Sequence, residues 1–478
     1  MKKAFKAHPL MLYSFMKPFL FVLVIPVIKG GIQYLLYQKI TGVLLFESIL
    51  AALLFFFAYF RLKAFKVTVC ETHIEVKKGF IIKERAIIPK ARISSIKTSE
   101  NLIDTLFRCV TLRINTEAGT VGTADFKVKL SRKNADELYF LIYGKEKNIP
   151  IKFSNLKIAS LSAATSSALT GLILGVPITN QASKMLGVSL SEVIFLRIND
   201  ASQKFNTYMP PLVNIITIVA LIAYGFAFVF TFLRNIGFSL SANEEKMEIK
   251  SGFFVKRRIV FKKENINNLY LEQTPMMKLF KVYSLCACVA GLGDGRKERA
   301  TVIPCGGKRE LKAMMKLYFP TLTPSGSCLM APRSYANGRR FLFWPTLLTM
   351  GLLLVGTLAG AMFPEFIKVI MFVSAVLLAM IVYYGDICLV NYRFAKVSFG
   401  ERVYLSGSKG LSLRRICCKK ENVGIIRISR TPADKRFSTC NVKVTIRSES
   451  AIRIKVRHLD CSSLAEEIEK CYEIEGIF

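Results

Sequence analysis

Lys263-Glu264-Asn265-Ile266 returns later in the chain as Lys420-Glu421-Asn422-Val423, and Thr274-Pro275 returns as Thr431-Pro432. Around these stretches the spacing is periodic. Gly252, Ile266 and Phe280 are each 14 apart (266 − 252, 280 − 266), and Gly79, Ile93 and Phe107 repeat both gaps. Val423 and Phe437 keep the second gap, with Lys409 beside Gly410 where the glycine would fall. Self-similarity on this scale marks a module built three times. A pair of apolar segments precedes each copy, so the function must be one that three membrane-tethered modules can perform together.

Composition agrees. The chain has 478 residues, enough for about three domains. It is 52% hydrophobic with a mean hydropathy of +0.37, yet carries a net charge of +35. The two figures reconcile because apolar and basic residues are segregated along the sequence. A basic excess serves either nucleic acid or the anionic face of a membrane. The basic blocks here abut apolar spans, which favours the membrane surface and topology control over nucleic acid. The 12 cysteines are scattered with no C-x-x-C pair, so neither a zinc site nor a disulfide framework is expected, only free buried thiols.

Six spans of about 20 residues are expected, in three pairs: Met11–Ile28 with Val43–Phe60, Ile158–Ile178 with Leu212–Leu233, and Phe341–Phe363 with Phe366–Val390. A signal peptide is the alternative for the first. It lacks a convincing small-residue cleavage site and a second span follows closely, so it is kept as a span. Lys2, Lys3, Lys6, Arg61, Lys63, Arg234 and Arg393 flank one side of these pairs, and the opposite loops are poor in such charge. The positive-inside rule then places both termini and all three modules in the cytoplasm. The 180–209 loop is external, either a short amphipathic element on the outer surface or a plain connector. The expected boundaries are 1–62, 151–235 and 323–392 for the hairpins, and 63–150, 236–322 and 393–478 for the modules.

Within module one, Lys66–Val69 and His73–Lys77 alternate with period 2, Lys78-Gly79 turns, and Phe80-Ile81-Ile82 resumes. Further strands are expected at Ala86–Ile88, Ile93–Thr98 and Val110–Asn115, and a closing helix at Ala135–Tyr143. Module three ends likewise, with Leu464, Ile468 and Tyr472 on one helical face. Ile93, Ile266 and Val423, and with them Phe107, Phe280 and Phe437, are expected to be buried at equivalent places. The fold class is α+β: three transmembrane hairpins alternating with three PH-like β-barrels, each closed by a C-terminal helix. The stretch Pro89, Arg92, Ile93, Ser95, Ile96 and the downstream Leu106-Phe107 resemble the bacterial PH-domain family of membrane proteins, the YdbS/YdbT type once catalogued as a domain of unknown function. The second module departs from this pattern at Lys262 and Asn265, and the third lacks the apolar Ile81-Ile82.

Basic residues straddle the first turn of each module. They are Lys77, Lys78, Lys83 and Arg85; then Lys250, Lys256, Arg257 and Arg258; then Lys409, Arg414 and Arg415. Cations on two adjacent strands can converge on one anion, as at a lipid headgroup, or simply form a solvated face. Gly291-Leu292-Gly293-Asp294-Gly295 lacks the trailing Gly-Lys-Ser/Thr of a phosphate loop and reads as a hairpin turn. His8, His73 and His458 stand in separate segments, so no catalytic pair, metal site or cofactor is expected. Asp386 is the only acid that could lie at membrane depth, or it reaches the interface. The chain reads as a non-enzymatic membrane protein whose modules bind a partner protein, a second copy or anionic headgroups. The family resemblance implies a role in envelope stress or antimicrobial-peptide resistance. A transporter or channel-like assembly is the alternative, and a lipid-modifying enzyme comes third.

Overall fold

The structure, a computed structural model, describes residues 3–16, 42–80, 82–116, 126–144, 150–186, 189–205, 211–290, 292, 299–322, 335–409, 412–436, 438–446 and 452–473. Module one comprises helix α1 (Gly42–Ala64), strands β2 (Lys66–Val69), β3 (His73–Lys78), β4 (Glu84–Pro89) and β5 (Ile93–Glu100), a short helix α2 (Leu102–Leu106), strands β6 (Cys109–Thr116) and β7 (Phe126–Ser131), and helix α3 (Arg132–Tyr143). A strand β1 (Lys3–Lys6) joins it from the N-terminus. Next come β8 (Ile151–Lys152) and helices α4 (Asn155–Thr165), α5 (Ala168–Leu186), α6 (Leu190–Phe205) and α7 (Pro211–Asn235). Module two has β9 (Ser239–Ala242), β10 (Lys246–Ser251), β11 (Lys256–Lys262), β12 (Ile266–Gln273), α8 (Pro275–Leu279), β13 (Val282–Val289), β14 (Arg299–Gly307) and α9 (Lys308–Tyr318). Helices α10 (Tyr335–Met362) and α11 (Ile367–Phe394) lead to module three. That module has β15 (Lys396–Ser398), β16 (Arg402–Lys409), β17 (Ser412–Lys419), β18 (Val423–Ser429), α12 (Pro432–Arg436), β19 (Thr439–Ile446), β20 (Ile452–Asp460) and α13 (Cys461–Tyr472).

The repeat extends to backbone detail. A single 3-10 turn precedes Ile93, Ile266 and Val423 alike, at Lys90–Arg92, Lys263–Asn265 and Lys420–Asn422. After each short helix one non-glycine residue turns left-handed: Arg108, Lys281 and Ser438, with φ of 51°, 54° and 51°. Such residues are uncommon, so the same one in three copies is a shared construction.

The sheets do not follow the modules. Their orders are β1-β2-β3-β4, then β7-β6-β5-β11-β10-β9-β8, then β14-β13-β12-β17-β16-β15, then β18-β19-β20. Among the described residues none closes on itself, so the expected barrel closure is not found. The 3-10 turn in each module carries the chain out of one sheet and into another. There β5 accepts β11 of the next module, with Ser95 opposite Phe261 and Glu100 opposite Lys256. Strand β12 accepts β17 in the same way, with Asn268 opposite Cys418 and Gln273 opposite Leu413. One strand of each module is thus hydrogen-bonded to a strand of the next, and module two shares strands with both neighbours.

Two compact units result, and they divide module two: 239–265 fall in the first and 266–289 in the second. The core of the first unit joins Phe5, Val67, Ile74 and Val76 to Ile93, Ile96, Leu112, Val128 and Leu138, with Val260 of β11 among them. In the second, Val397, Leu405, Ile416 and Cys418 pack with Val442, Val444, Val456, Leu464 and Ile468. Each large side chain buried this way contributes about 1.5–3 kcal/mol. The period-2 alternation and the closing helices α3 and α13 put these residues inward, as expected. Ile93 and Ile266 are buried and Val423 is partly so. Phe107 and Phe280 are not: they are 55% and 53% exposed. Phe437 lies outside the described residues.

Among the described residues three helices are long and apolar enough to span a membrane: Asn214–Asn235, Leu342–Met362 and Pro364–Phe394. A fourth counts only if α4 and the start of α5, bent by 93°, act as one. That is fewer than the six expected; the first expected span lies mostly outside the described residues, and the second coincides with α1. The expected span Ile158–Ile178 is not one straight helix. Ser162, Thr165 and Ser166 donate their hydroxyls back to the carbonyls of Ile158, Leu161 and Ser162 at 2.8, 2.8 and 2.6 Å. Ser167 then accepts from the Thr170 N–H at 3.3 Å and starts a new helix. Such back-bonding competes with the helical ladder and bends it. Within 180–209 the chain forms a helix, α6, which exposes Val193, Ile194, Phe195 and Leu196.

Candidate membrane-facing site

In the β3–β4 and β10–β11 hairpins the strands pair in register up to Lys78↔Glu84 and Ser251↔Arg257. Each turn starts at a glycine with positive φ, Gly79 at 96° and Gly252 at 105°. At Gly79 a Cβ would lie 1.9 Å from the Ile82 carbonyl oxygen, so only glycine fits. This tight start pushes the next side chains outward: Phe80 and Ile82 in the first tip, Phe253 and Phe254 in the second, all exposed, Ile82 by 76%. The Phe80 ring lies 4.9 Å from that of Phe60, near the end of α1. An apolar tip therefore sits beside the end of an apolar helix.

The cations selected from sequence divide into two groups. Most are held by acids of their own fold. Glu75 takes Lys77 at 3.2 Å and Arg85 at 2.6 Å. Glu248, at the equivalent position (93 − 75 and 266 − 248 are both 18), takes Lys250 at 2.9 Å and Arg258 at 2.5 Å. Burial acts to raise the Glu75 carboxyl, but Lys77 and Arg85 outweigh it and leave it below the usual range. Arg258 also reaches Asp136 at 3.3 Å and lies 4.0 Å over the Tyr139 ring. Lys78 pairs with Glu84 at 2.7 Å, at the tip itself. Arg414 is held by Glu272 at 2.9 Å, and Arg415 stacks 4.9 Å from Phe394 and 5.5 Å from Tyr283. Arg257 follows Lys256 on β11. Lys83 and Lys256 stand exposed at equivalent places, just past the apolar tips. The two glutamates were missed in the sequence because only basic residues were aligned, although their common offset was readable.

The short helices α2 and α8 add a second apolar fringe. Leu102, Ile103, Leu106 and Phe107 are exposed on the first, and Met276, Leu279 and Phe280 on the second. Helix α8 is fixed by the Thr274 hydroxyl donating to the Ala164 carbonyl at 3.0 Å. Met277 packs with Leu161, Ala164 and Cys305. Lys278 forms an ion pair with Asp386 of α11, which gives that acid a partner in module two. The Gly291–Gly295 turn lies almost wholly outside the described residues, but its flanks β13 and β14 pair as a hairpin. His458 stands 3.4 Å from buried Asp434, a pairing not expected from their separation in sequence. Among the described residues no cluster suits a metal ion, and all the cysteines are free, most of them buried.

Repeated β-modules joined to apolar helices, the first two presenting an apolar tip with a lysine beside it, define a membrane protein. The Bacterial PH domain family matches residues 20–146 and 192–316. The chain belongs to that family. It is also 21% identical over 322 residues to the UPF0699 transmembrane protein YdbT of Bacillus subtilis (strain 168), an alignment covering 61% of this chain. The chain spans 63% of the length of that relative. No solved structure matches it.

Proposed function

We propose that the chain is a non-enzymatic protein of the bacterial plasma membrane, with six spans and cytoplasmic termini, whose modules dock on anionic headgroups. The carrying observation is the first hairpin tip: exposed Phe80 and Ile82 beside Phe60 of α1, with Lys78 and exposed Lys83 flanking them. Apolar side chains at such a place can enter the headgroup boundary, and each nearby cation adds about 1 kcal/mol of attraction to an anionic leaflet. The tether keeps the tip at high effective concentration near the bilayer, so a weak contact suffices. The cations bound to Glu75 and Glu248 hold the hairpins in shape, leaving the contact to the tip. A role in envelope stress stays with the family resemblance alone.

The test uses the full chain carrying Ile82→Cys labelled with an environment-sensitive fluorophore, against the unsubstituted chain for background. In anionic nanodiscs the emission should shift to the blue, and the shift should shrink with neutral lipid, with about 1 M salt, or with Lys83→Gln. An impermeant reagent should reach Ser189→Cys, but not Ile82→Cys, from outside intact cells. A lipid- and salt-independent emission would sink the docking, and the reverse labelling would sink the topology.

A further inference from the structure

The two internal joints between modules use one register. Subtracting the repeat offsets, Ser95↔Phe261 at the first joint is the same pairing as Asn268↔Cys418 at the second, and Ile96↔Val260 the same as Leu269↔Cys417. Each joint joins the strand before the 3-10 turn of one module to the strand after the turn of the preceding one. Three modules in a row make two such joints and, among the described residues, leave two halves without a mate. They are β4, which ends the first sheet, and β18, which ends the last.

These two edges are exposed where their counterparts are covered. Ile87 on β4 and Ile425 on β18 are each 56% exposed. Val260 and Cys417, equivalent to Ile87, and Ser95 and Asn268, equivalent to Ile425, are all 3% exposed or less. An unpaired strand bearing outward isoleucines is a template for another strand, and proteins normally blunt it. We infer that β18 of one copy pairs antiparallel with β4 of a second copy of this chain, repeating the internal joint. The shared register sets the partners: Ile425 opposite Ile88, Ile426 opposite Ile87, and Ile428 opposite Arg85. The contact is head-to-tail, so each copy keeps one edge to offer, and the assembly grows until it closes. A second copy is the fitting occupant because the chain itself already supplies both sides of this joint twice. The inference does not depend on headgroup docking.

The test is co-expression of two differently tagged full-length chains, one with Ile87→Cys and one with Ile426→Cys, followed by mild oxidation in membranes. A disulfide-linked product carrying both tags is expected, absent when either cysteine is missing. Moving one cysteine by a residue, to Arg427→Cys, turns it to the other face and should cut the yield several-fold. The inference is overturned if no doubly tagged product forms, if Arg427→Cys links equally well, or if the link forms only with both cysteines in one chain.

Discussion

Asp104 is 1% exposed, yet it carries a charge. It accepts from Lys129 Nζ at 2.6 Å, the Asn101 N–H at 3.3 Å, the Cys109 thiol at 3.3 Å and the Thr111 hydroxyl at 3.4 Å. Burial would raise its pKa, but Lys129 and these donors together hold it below the ordinary carboxylate range. The Cys109 thiol is pushed up to about 11 by burial and by Asp104. A carboxyl depressed in the folded state adds stability above its unfolded value of about 4, lost as pH falls through the lower folded value. Module three repeats the pair as Asp434 and His458, while module two has Met277 and Cys305 at the same two places. Asp104→Ala leaves the Lys129 ammonium without its partner and should cost roughly 3–5 kcal/mol. Asp104→Met with Lys129→Cys copies module two and should recover most of that, read by thermal unfolding of the solubilised chain. A double variant as unstable as the single would show that the pair has no apolar equivalent. The position of the acid was legible in the sequence, since Asp104, Met277 and Asp434 lie 11 residues after Ile93, Ile266 and Val423. Its partner was not, because the distance from that position to Lys129, Cys305 and His458 is not constant (129 − 104 = 25, 305 − 277 = 28, 458 − 434 = 24). Phe107 and Phe280 misled for another reason: an apolar residue kept in every copy can face a membrane as well as a core.

Among the elements, strands announced themselves and the helix break did not. Period 2 located β2 and β3, where Val67, Val69, Ile74 and Val76 turn into the core, and the spacing of glycine to isoleucine located the tips. Hydropathy over 158–178 cannot register hydroxyls turning back on their own helix, so α4 and α5 read as one span. Their packing depends on a single small residue. A Cβ on Gly171 would lie 1.6 Å from the Ala223 carbonyl oxygen of α7, so the two helices approach to backbone contact there. Gly171→Ala forces the pair apart, and overpacking of this kind costs about 1–3 kcal/mol. The melting temperature of the protein in detergent should fall, whereas Gly225→Ala, with nothing near its Cβ, should change it little. Equal effects from the two would mean that α5 and α7 do not meet at Gly171.

At the scale of the molecule, the repeat was legible but its sheet pairing was not. Equal spacing tells that a unit recurs; it does not tell whether the strands of a unit pair with each other or with the next unit. The barrel reading assumed the first alone, and the structure shows both, because β5 and β12 also pair with β11 and β17. A consequence is that module one cannot be cut out at its sequence boundaries. The fragment Lys66–Tyr143 lacks β1, whose Phe5 is 3% exposed, and lacks β11, whose Val260 is 1% exposed within the same core. It would present the bare edge of β5 and a gap where two buried side chains belong, and an open edge of that kind promotes association. The fragment alone should aggregate or melt without cooperativity. Adding residues 3–16 at the front and 239–265 through a flexible linker should restore a sharp transition in circular dichroism and a monomeric sedimentation profile. A monomeric, cooperatively melting Lys66–Tyr143 would mean that the module is self-sufficient and that the shared sheet is a contact between finished domains.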